Sequence, residues 1–271
     1  SIRMPGKEGQ QELLYLHDFF EADDWPDLPG GWPFCFPVCA RLSRDGKEGA
    51  YYFDGKQYQL PIHGFAWQQA WEVNAVDDRS IILLLRENDE TLSQYPFQFE
   101  VKLHYELTPG RLSCQQTYTN TGDKPMPYYA GFHPYFLTPK QGEGKEQVKL
   151  LYKPERRFIY NDTMTDLVGE QPVFKTPVSI MDPSINEQLT MLGNEKQLNL
   201  HFPDGKKIHL LAEGIQDKNL FPYVQLYHVP EKPFFCMEPW MGYPNAMNSV
   251  QGVRWLKPGE SENGWLQLWL G

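Results

Sequence analysis

Two short stretches combine titratable side chains with an apolar setting: AGFHPYF at 130–136 and CMEPWMGYPNAMN at 236–248. The first offers His133, fenced by Gly131, Phe132, Pro134 and Tyr135, and the second offers Glu238 against Pro239 and Trp240. A titratable group in such surroundings loses hydration, so its neutral form is favoured and a carboxylate's pKa moves toward neutrality. A base and an acid of similar strength could then meet across one cleft. That pairing moves a proton on and off a neutral substrate.

Other candidates carry weaker signals. His63, in LPIHGFAW, occupies a similar Gly- and aromatic-rich turn, where a histidine either serves a site or holds a loop through backbone hydrogen bonds. His104 and His201 fall on polar faces of alternating runs and read as solvent-facing. Cys35, Cys39, Cys114 and Cys236 sit mostly in apolar stretches and read as buried free thiols; Cys35 and Cys39 lack a second Cys or His pair at zinc-binding spacing, so no metal site is expected. Asp162 and Asp166 read as loop solvation. A glycoside hydrolase of the usual kind would need two carboxylates across the bond, and only Glu238 has a convincing setting.

The elements that must position these groups are strands. Phe97, Phe99, Val101, Leu103, Tyr105 and Leu107 alternate with polar residues, which is the two-residue period of a half-buried strand. Pro109-Gly110 supplies a turn, and alternation resumes over 111–120, so a β-hairpin is expected. Similar short runs lie at 80–86, 147–152, 197–202, 207–212, 223–229, 234–237 and 265–270, separated by Gly, Pro, Asn and Asp. Helical periodicity beyond two turns is absent. The expectation is an all-β, mostly antiparallel fold whose strands stack or close to hide their edges. No linker or repeat divides the 271 residues, so 1–271 reads as a single domain.

Composition narrows the partners. Hydrophobic residues make up 41% and aromatics 14%, enough for a large core and for aromatic pocket walls. A formal net charge of -10 repels nucleic acid and anionic membrane, which leaves an uncharged small molecule as the natural ligand. No apolar run approaches the roughly 20 residues that span a bilayer, and the visible N-terminus has no signal-like segment. A cytoplasmic location is expected; the oligomeric state is not specified by any of these features.

Taken jointly, GGWPFCFP (30–37), HGFAW (63–67), GFHPYF (131–136), NDTMTDLVGE (161–170), EPWMGYPNAMN (238–248) and KPGE (257–260) resemble the aldose 1-epimerase (mutarotase) family, in the family's order. The resemblance runs from about Leu13 to the C-terminus. It implies a galactose-mutarotase-like β-supersandwich and a monosaccharide substrate, with neither metal nor organic cofactor. It further implies His133 as catalytic acid, Glu238 as catalytic base and His63 as a sugar contact. Arg41 matches an arginine that hydrogen-bonds the substrate, and Gln225 corresponds to a cleft-lining residue or to a polar residue on an open strand face. Trp67, Trp240 or Tyr243 would stack on the sugar.

Two features bear on which sugar. GGWPFCFP followed by HGFA is similar to the hexose-6-phosphate mutarotase branch, yet that branch is expected to carry arginines where Pro29 and Trp67 stand here. An unphosphorylated aldose is therefore favoured, unless Arg44, Lys47 or Arg79 supplies a phosphate site from another loop. The aspartate that many members place between the histidine and the glutamate aligns best with Asn186, with Asp182 and Glu187 close by. A carbohydrate-binding or sugar-sensing protein without turnover would share the sandwich and the aromatics but would not need a matched acid and base.

Overall fold

The alternation over 97–107 becomes half of a long hairpin: Phe99–Thr108 pairs antiparallel with Arg111–Asn120, in continuous register from Phe99 opposite Asn120 to Thr108 opposite Arg111. Phe99, Val101 and Leu103 point into the core, and the inward face fades toward the turn, where Leu107 is half-exposed. The computed structural model describes residues 1–6, 9–21, 28 and 30–271; Pro29 lies outside them. Strands Ser80–Arg86, Lys149–Leu151, Gln197–His201, Lys207–Gly214, Tyr223–Tyr227, Phe234–Trp240 and Ser261–Leu270 form where the sequence places them, within four residues at each end. Helices among the described residues are short, as Asp89–Gln94 and Ala246–Ser249 illustrate. None is long and apolar enough to cross a membrane.

Two large antiparallel sheets dominate the described residues. One has nine strands and contains the hairpin; its edge strand Glu72–Val76 is exposed along its length, and Glu72 is tied back to Arg86 at 2.9 Å. Charge on an exposed edge discourages pairing with another chain. The other sheet has eight strands and runs Leu167–Gln171, Pro154–Tyr160, Gln188–Leu192, Tyr223–Tyr227, Phe234–Trp240, Gly131–Phe132 and Phe34–Cys35, with Tyr135–Leu137 also paired to Phe234–Trp240.

Apolar residues of both sheets join one core, including Phe99, Tyr118 and Leu266 from the first and Phe132, Val224 and Met237 from the second. Stacked rings bridge the sheets, with Phe34 and Tyr118 centroids 6.2 Å apart. This is the packing of a sandwich. Every residue of Phe234–Trp240 is buried, so the one carboxylate on that strand is dehydrated by its position alone. All four cysteines are free and buried.

Candidate functional site

Strand register explains how residues more than a hundred positions apart meet. Gly131 sits opposite Trp240 and Tyr135 opposite Cys236, so the register shared by these two pairs puts position 133 across from Glu238. Pro134 interrupts the ladder at that point, since it lacks an N–H and keeps its predecessor extended. His133 therefore occupies a break between two short strands, its own N–H donating to the Pro33 carbonyl at 2.9 Å. On the other side Gln225 sits directly opposite Glu238. His133, Glu238 and Gln225 thus form one row across the sheet, and such neighbours share a face.

Alternation then fixes the rest of the wall. Tyr135, Tyr227 and Trp240 stand two residues from members of that row and line the same cleft, which encloses about 120 Å³. Gly131 must be glycine here, because a Cβ would lie 2.6 Å from Cδ1 of Trp240. His63 comes from a separate turn laid against Phe36, where Gly64 (φ 70°) leaves no room for a Cβ: the Phe36 carbonyl oxygen would be 2.2 Å away. Arg41, Tyr160, Met164 and Glu187 complete the described lining used below.

His133 and Glu238 meet directly on the cleft wall. His133 Nε2 lies 3.3 Å from Glu238 Oε1, with both side chains buried. The His133 ring stacks on Tyr135 (centroids 4.6 Å) and meets the edge of His63 at 5.1 Å. Burial pushes the His133 imidazole down to about 3, partly opposed by its own backbone. Burial also raises the Glu238 carboxyl well above the usual carboxylate range; the Glu187 charge adds to this and the Trp240 side chain counters it. The two shifts have a common consequence. A proton shared between the two is therefore held by Glu238 in preference to His133.

His63 is locked in one tautomer. Its Nδ1 accepts from the Ala40 N–H at 3.1 Å while its own N–H donates to the Ala40 carbonyl at 3.1 Å, so neutral His63 carries its proton on Nε2. Burial, His133 and Arg41 hold its pKa well below the ordinary histidine value, which keeps it neutral. His63, His133 and Glu238 offer donor atoms within 4.8 Å of one another, a spacing that would suit a metal ion. The tautomer argues against that use: the Nδ1 lone pair is occupied and Nε2 is protonated, so His63 presents a donor where a metal requires a lone pair.

The structure brings together His133, Glu238, His63, Arg41 and Gln225, and puts Trp67 elsewhere. Phe65 and Ala66 both donate to the Phe36 carbonyl, and the chain then turns away, so Trp67 packs behind Leu28 and Tyr135 and lines a different cavity of about 680 Å³ with Trp32 and Trp71. Tyr243 also leaves the cleft and packs on Tyr223 at 4.5 Å. Trp240 is the aromatic of that group which lines it.

Glu187, not Asn186, supplies the acidic group of the turn. Gln225 donates from Nε2 to Glu187 Oε2 at 3.2 Å and accepts from the Tyr160 hydroxyl at 2.9 Å, whereas Asn186 Oδ1 accepts from the His228 N–H. Loss of hydration raises the Glu187 carboxyl, with Arg41 and Gln225 opposing the rise. The sequence carried no signal for this: Glu187 lies just before strand Gln188–Leu192 with a left-handed backbone (φ 49°), so strand alternation does not extend to it. Tyr160 had no signal either. Asp166 also departs from loop solvation, since its carboxylate accepts from the Asn245 amide at 3.0 Å.

Comparisons with known proteins agree with this architecture. The family model described as aldose 1-epimerase matches residues 1–269. Among curated proteins, the chromosomal protein LacX of Lactococcus lactis subsp. lactis is 25% identical over 82% of this chain and 79% of its own length. A putative glucose-6-phosphate 1-epimerase of Cenchrus ciliaris is 24% identical over 95% of this chain and 75% of its own. Among solved structures, the Slr1438 protein of Synechocystis sp. PCC 6803 superposes with a TM-score of 0.81 at 27% identity, covering 98% of this chain and 86% of that one. A galactose mutarotase-like protein of Lactobacillus casei ATCC 334 gives 0.77 at 23% identity, covering 96% and 90%. With its family match nearly end to end and its galactose-mutarotase-like sandwich, the chain belongs to the aldose 1-epimerase family.

Proposed function

We propose that this protein interconverts the α and β anomers of an unphosphorylated aldose by acid/base ring opening and closure. The observation that carries the reading is the approach of His133 Nε2 to Glu238 Oε1 at 3.3 Å on the wall of a cleft. O1 and the ring oxygen of a pyranose are both bonded to C1, so the groups that serve them must lie side by side. Glu238 takes the O1 proton while His133 gives one to the ring oxygen; the C1–O5 bond breaks and C1=O1 forms. C1 then rotates, and closure on the other face returns each proton. The pair needs its single proton on His133 at the outset, and transfer across the 3.3 Å contact supplies that arrangement from the resting one.

The remaining groups support charge on oxygen. His63 offers its Nε2–H and Arg41 its guanidinium to hydroxyls or to developing negative charge, and Trp240 presents an aromatic wall to the sugar's CH face. Arg41 is the one guanidinium among the described lining residues, and it shares the cleft with the carboxyl groups of Glu187 and Glu238, which favours a neutral sugar over a phosphate dianion. Arg44, Lys47 and Arg79 line no part of this cleft. The reading treats the chain as one domain acting in the cytoplasm on a small-molecule sugar.

The test is the rate of anomer exchange of freshly dissolved α-galactose and α-glucose against glucose 6-phosphate. Acceleration in proportion to enzyme, with kcat/KM for the phosphate lower by about tenfold or more, is the expected result. A preference for the phosphate would reverse the substrate class, and no acceleration of any aldose would end the enzymatic reading.

A further inference from the structure

Two motifs remain outside the acid/base pair: NDTMTD at 161–166 and PNAMN at 244–248. The structure joins them through one side chain. Asn245 is buried in the left-handed region (φ 58°). Its N–H donates to the Arg41 carbonyl at 2.9 Å, and its Oδ1 accepts from the Ser43 N–H at 3.0 Å and from Asn248 Nδ2 at 2.8 Å. Its Nδ2 donates to Asp166 Oδ1 at 3.0 Å. Asp166 Oδ2 in turn accepts from the Thr165 hydroxyl at 3.0 Å, while Asn161 Oδ1 holds the Thr165 and Asp166 N–H groups at 2.9 and 3.1 Å.

Two walls of the cleft meet at this point. Arg41 stands on one, within the backbone segment that Asn245 brackets at 41 and 43. Tyr160 and Met164 stand on the other, in and beside the loop that Asp166 closes. We propose that Asn245 and Asp166 are positioning residues that fix the Arg41 guanidinium relative to the Tyr160–Met164 wall, and so set the affinity of the cleft for sugar hydroxyls. This inference rests on the proposed sugar chemistry but assigns no proton transfer to either residue. Arginine's long chain makes its placement depend on a fixed backbone.

The donor and acceptor directions make the test sharp. In Asn245→Asp, two carboxylates face each other where an amide met a carboxylate; Asp tolerates the left-handed backbone, so the change is electrostatic rather than steric. In Asp166→Asn alone, the amide oxygen can still accept from Asn245. In the double variant, the amide introduced at position 166 donates to the carboxylate introduced at position 245, and the contact is rebuilt with its direction reversed. Kinetics with galactose should show KM raised about tenfold in Asn245→Asp with kcat within about threefold, KM raised about twofold in Asp166→Asn, and KM in the double variant back within about threefold of wild type. The pH profile of kcat should be the same in all four proteins.

Calorimetric galactose affinity is measured on the same set. A double variant as poor as Asn245→Asp, or a loss confined to kcat with a displaced pH profile, overturns the proposal. Wild type that binds galactose without turnover removes the enzymatic reading, and the affinities then decide the positioning role on their own. Wild type that neither binds nor turns over overturns both.

Discussion

The buried pair makes a stability prediction that is independent of any assay of turnover. Stability rises with pH wherever the unfolded chain holds more protons than the folded one. The ordinary values are 4.5 for Glu238 and 6.5 for His133; in the folded state burial raises the first and lowers the second. Above pH 4.5 the unfolded carboxyl ionises while the folded one is held protonated, and below pH 6.5 the unfolded imidazole is charged while the folded one is neutral, so the two linkages oppose each other in the intact pair. Removing either partner exposes the other's linkage. In Glu238→Gln, His133 is protonated only when unfolded, and stability falls as pH drops from 6.5 to 4.5. In His133→Asn, the raised Glu238 carboxyl keeps its proton to higher pH when folded than when unfolded, and stability falls as pH rises above 4.5.

The magnitude follows from the width of that window. For Glu238→Gln, with His133 held down to about 3 when folded, about two pH units at about 1.4 kcal/mol per unit give a change of up to about 2.7 kcal/mol; His133→Asn changes in the opposite direction. Urea unfolding at about pH 4.5, 5.5 and 6.5, with each variant's free energy referred to wild type at the same pH, cancels the contribution of every other group. The two difference curves should cross or diverge with opposite slopes. Flat differences, within about 0.5 kcal/mol across the window, would refute a neutral buried pair.

Other expectations concern the scaffold. Gly64→Ala should destabilise by about 3 kcal/mol or more, because a Cβ would collide with the Phe36 carbonyl and the residue sits at φ 70°; a urea midpoint like that of wild type would contradict the turn geometry. Lys145 is fully buried and its Nζ donates to the carbonyls of Val229, Pro230 and Lys232, capping the turn between strands Tyr223–Tyr227 and Phe234–Trp240. Lys145→Met leaves those carbonyls without their donor and should cost about 3 kcal/mol, a fall of roughly 6–12 °C in Tm for a chain of this size. An unchanged Tm would show that the turn finds other partners.

Much of this arrangement is legible in the residues alone, for physical reasons that differ from place to place. The hairpin 99–120 announces itself because one face is buried and the other wet, so hydropathy alternates with the pleat. His133 and Glu238 stand out because each is a titratable group inside an apolar run. Their meeting is not legible, since it depends on the pairing of Gly131 with Trp240 and Tyr135 with Cys236, two short contacts on either side of Pro134 that carry no periodic signal. The Asn186 alignment missed Glu187 by one residue, because both lie in the turn before strand Gln188–Leu192, where Glu187 has a left-handed backbone (φ 49°) and no periodic pattern marks which side chain faces the cleft. Trp67 follows directly on a cleft turn in sequence, but the backbone reverses after Ala66 and carries it behind the wall. Asp166 looked like a solvated loop residue because its partner, Asn245, is 79 positions away.

Everything proposed for the cleft turns on His133 and Glu238 together carrying the proton between O1 and the ring oxygen. Two-dimensional exchange NMR on the anomeric protons of galactose, recorded for wild type, His133→Asn and Glu238→Gln, reads that step without a coupled enzyme. Fast α–β exchange is expected with wild type, and a loss of about a hundredfold or more in each variant. Exchange at the wild-type rate in both variants would contradict the shared role.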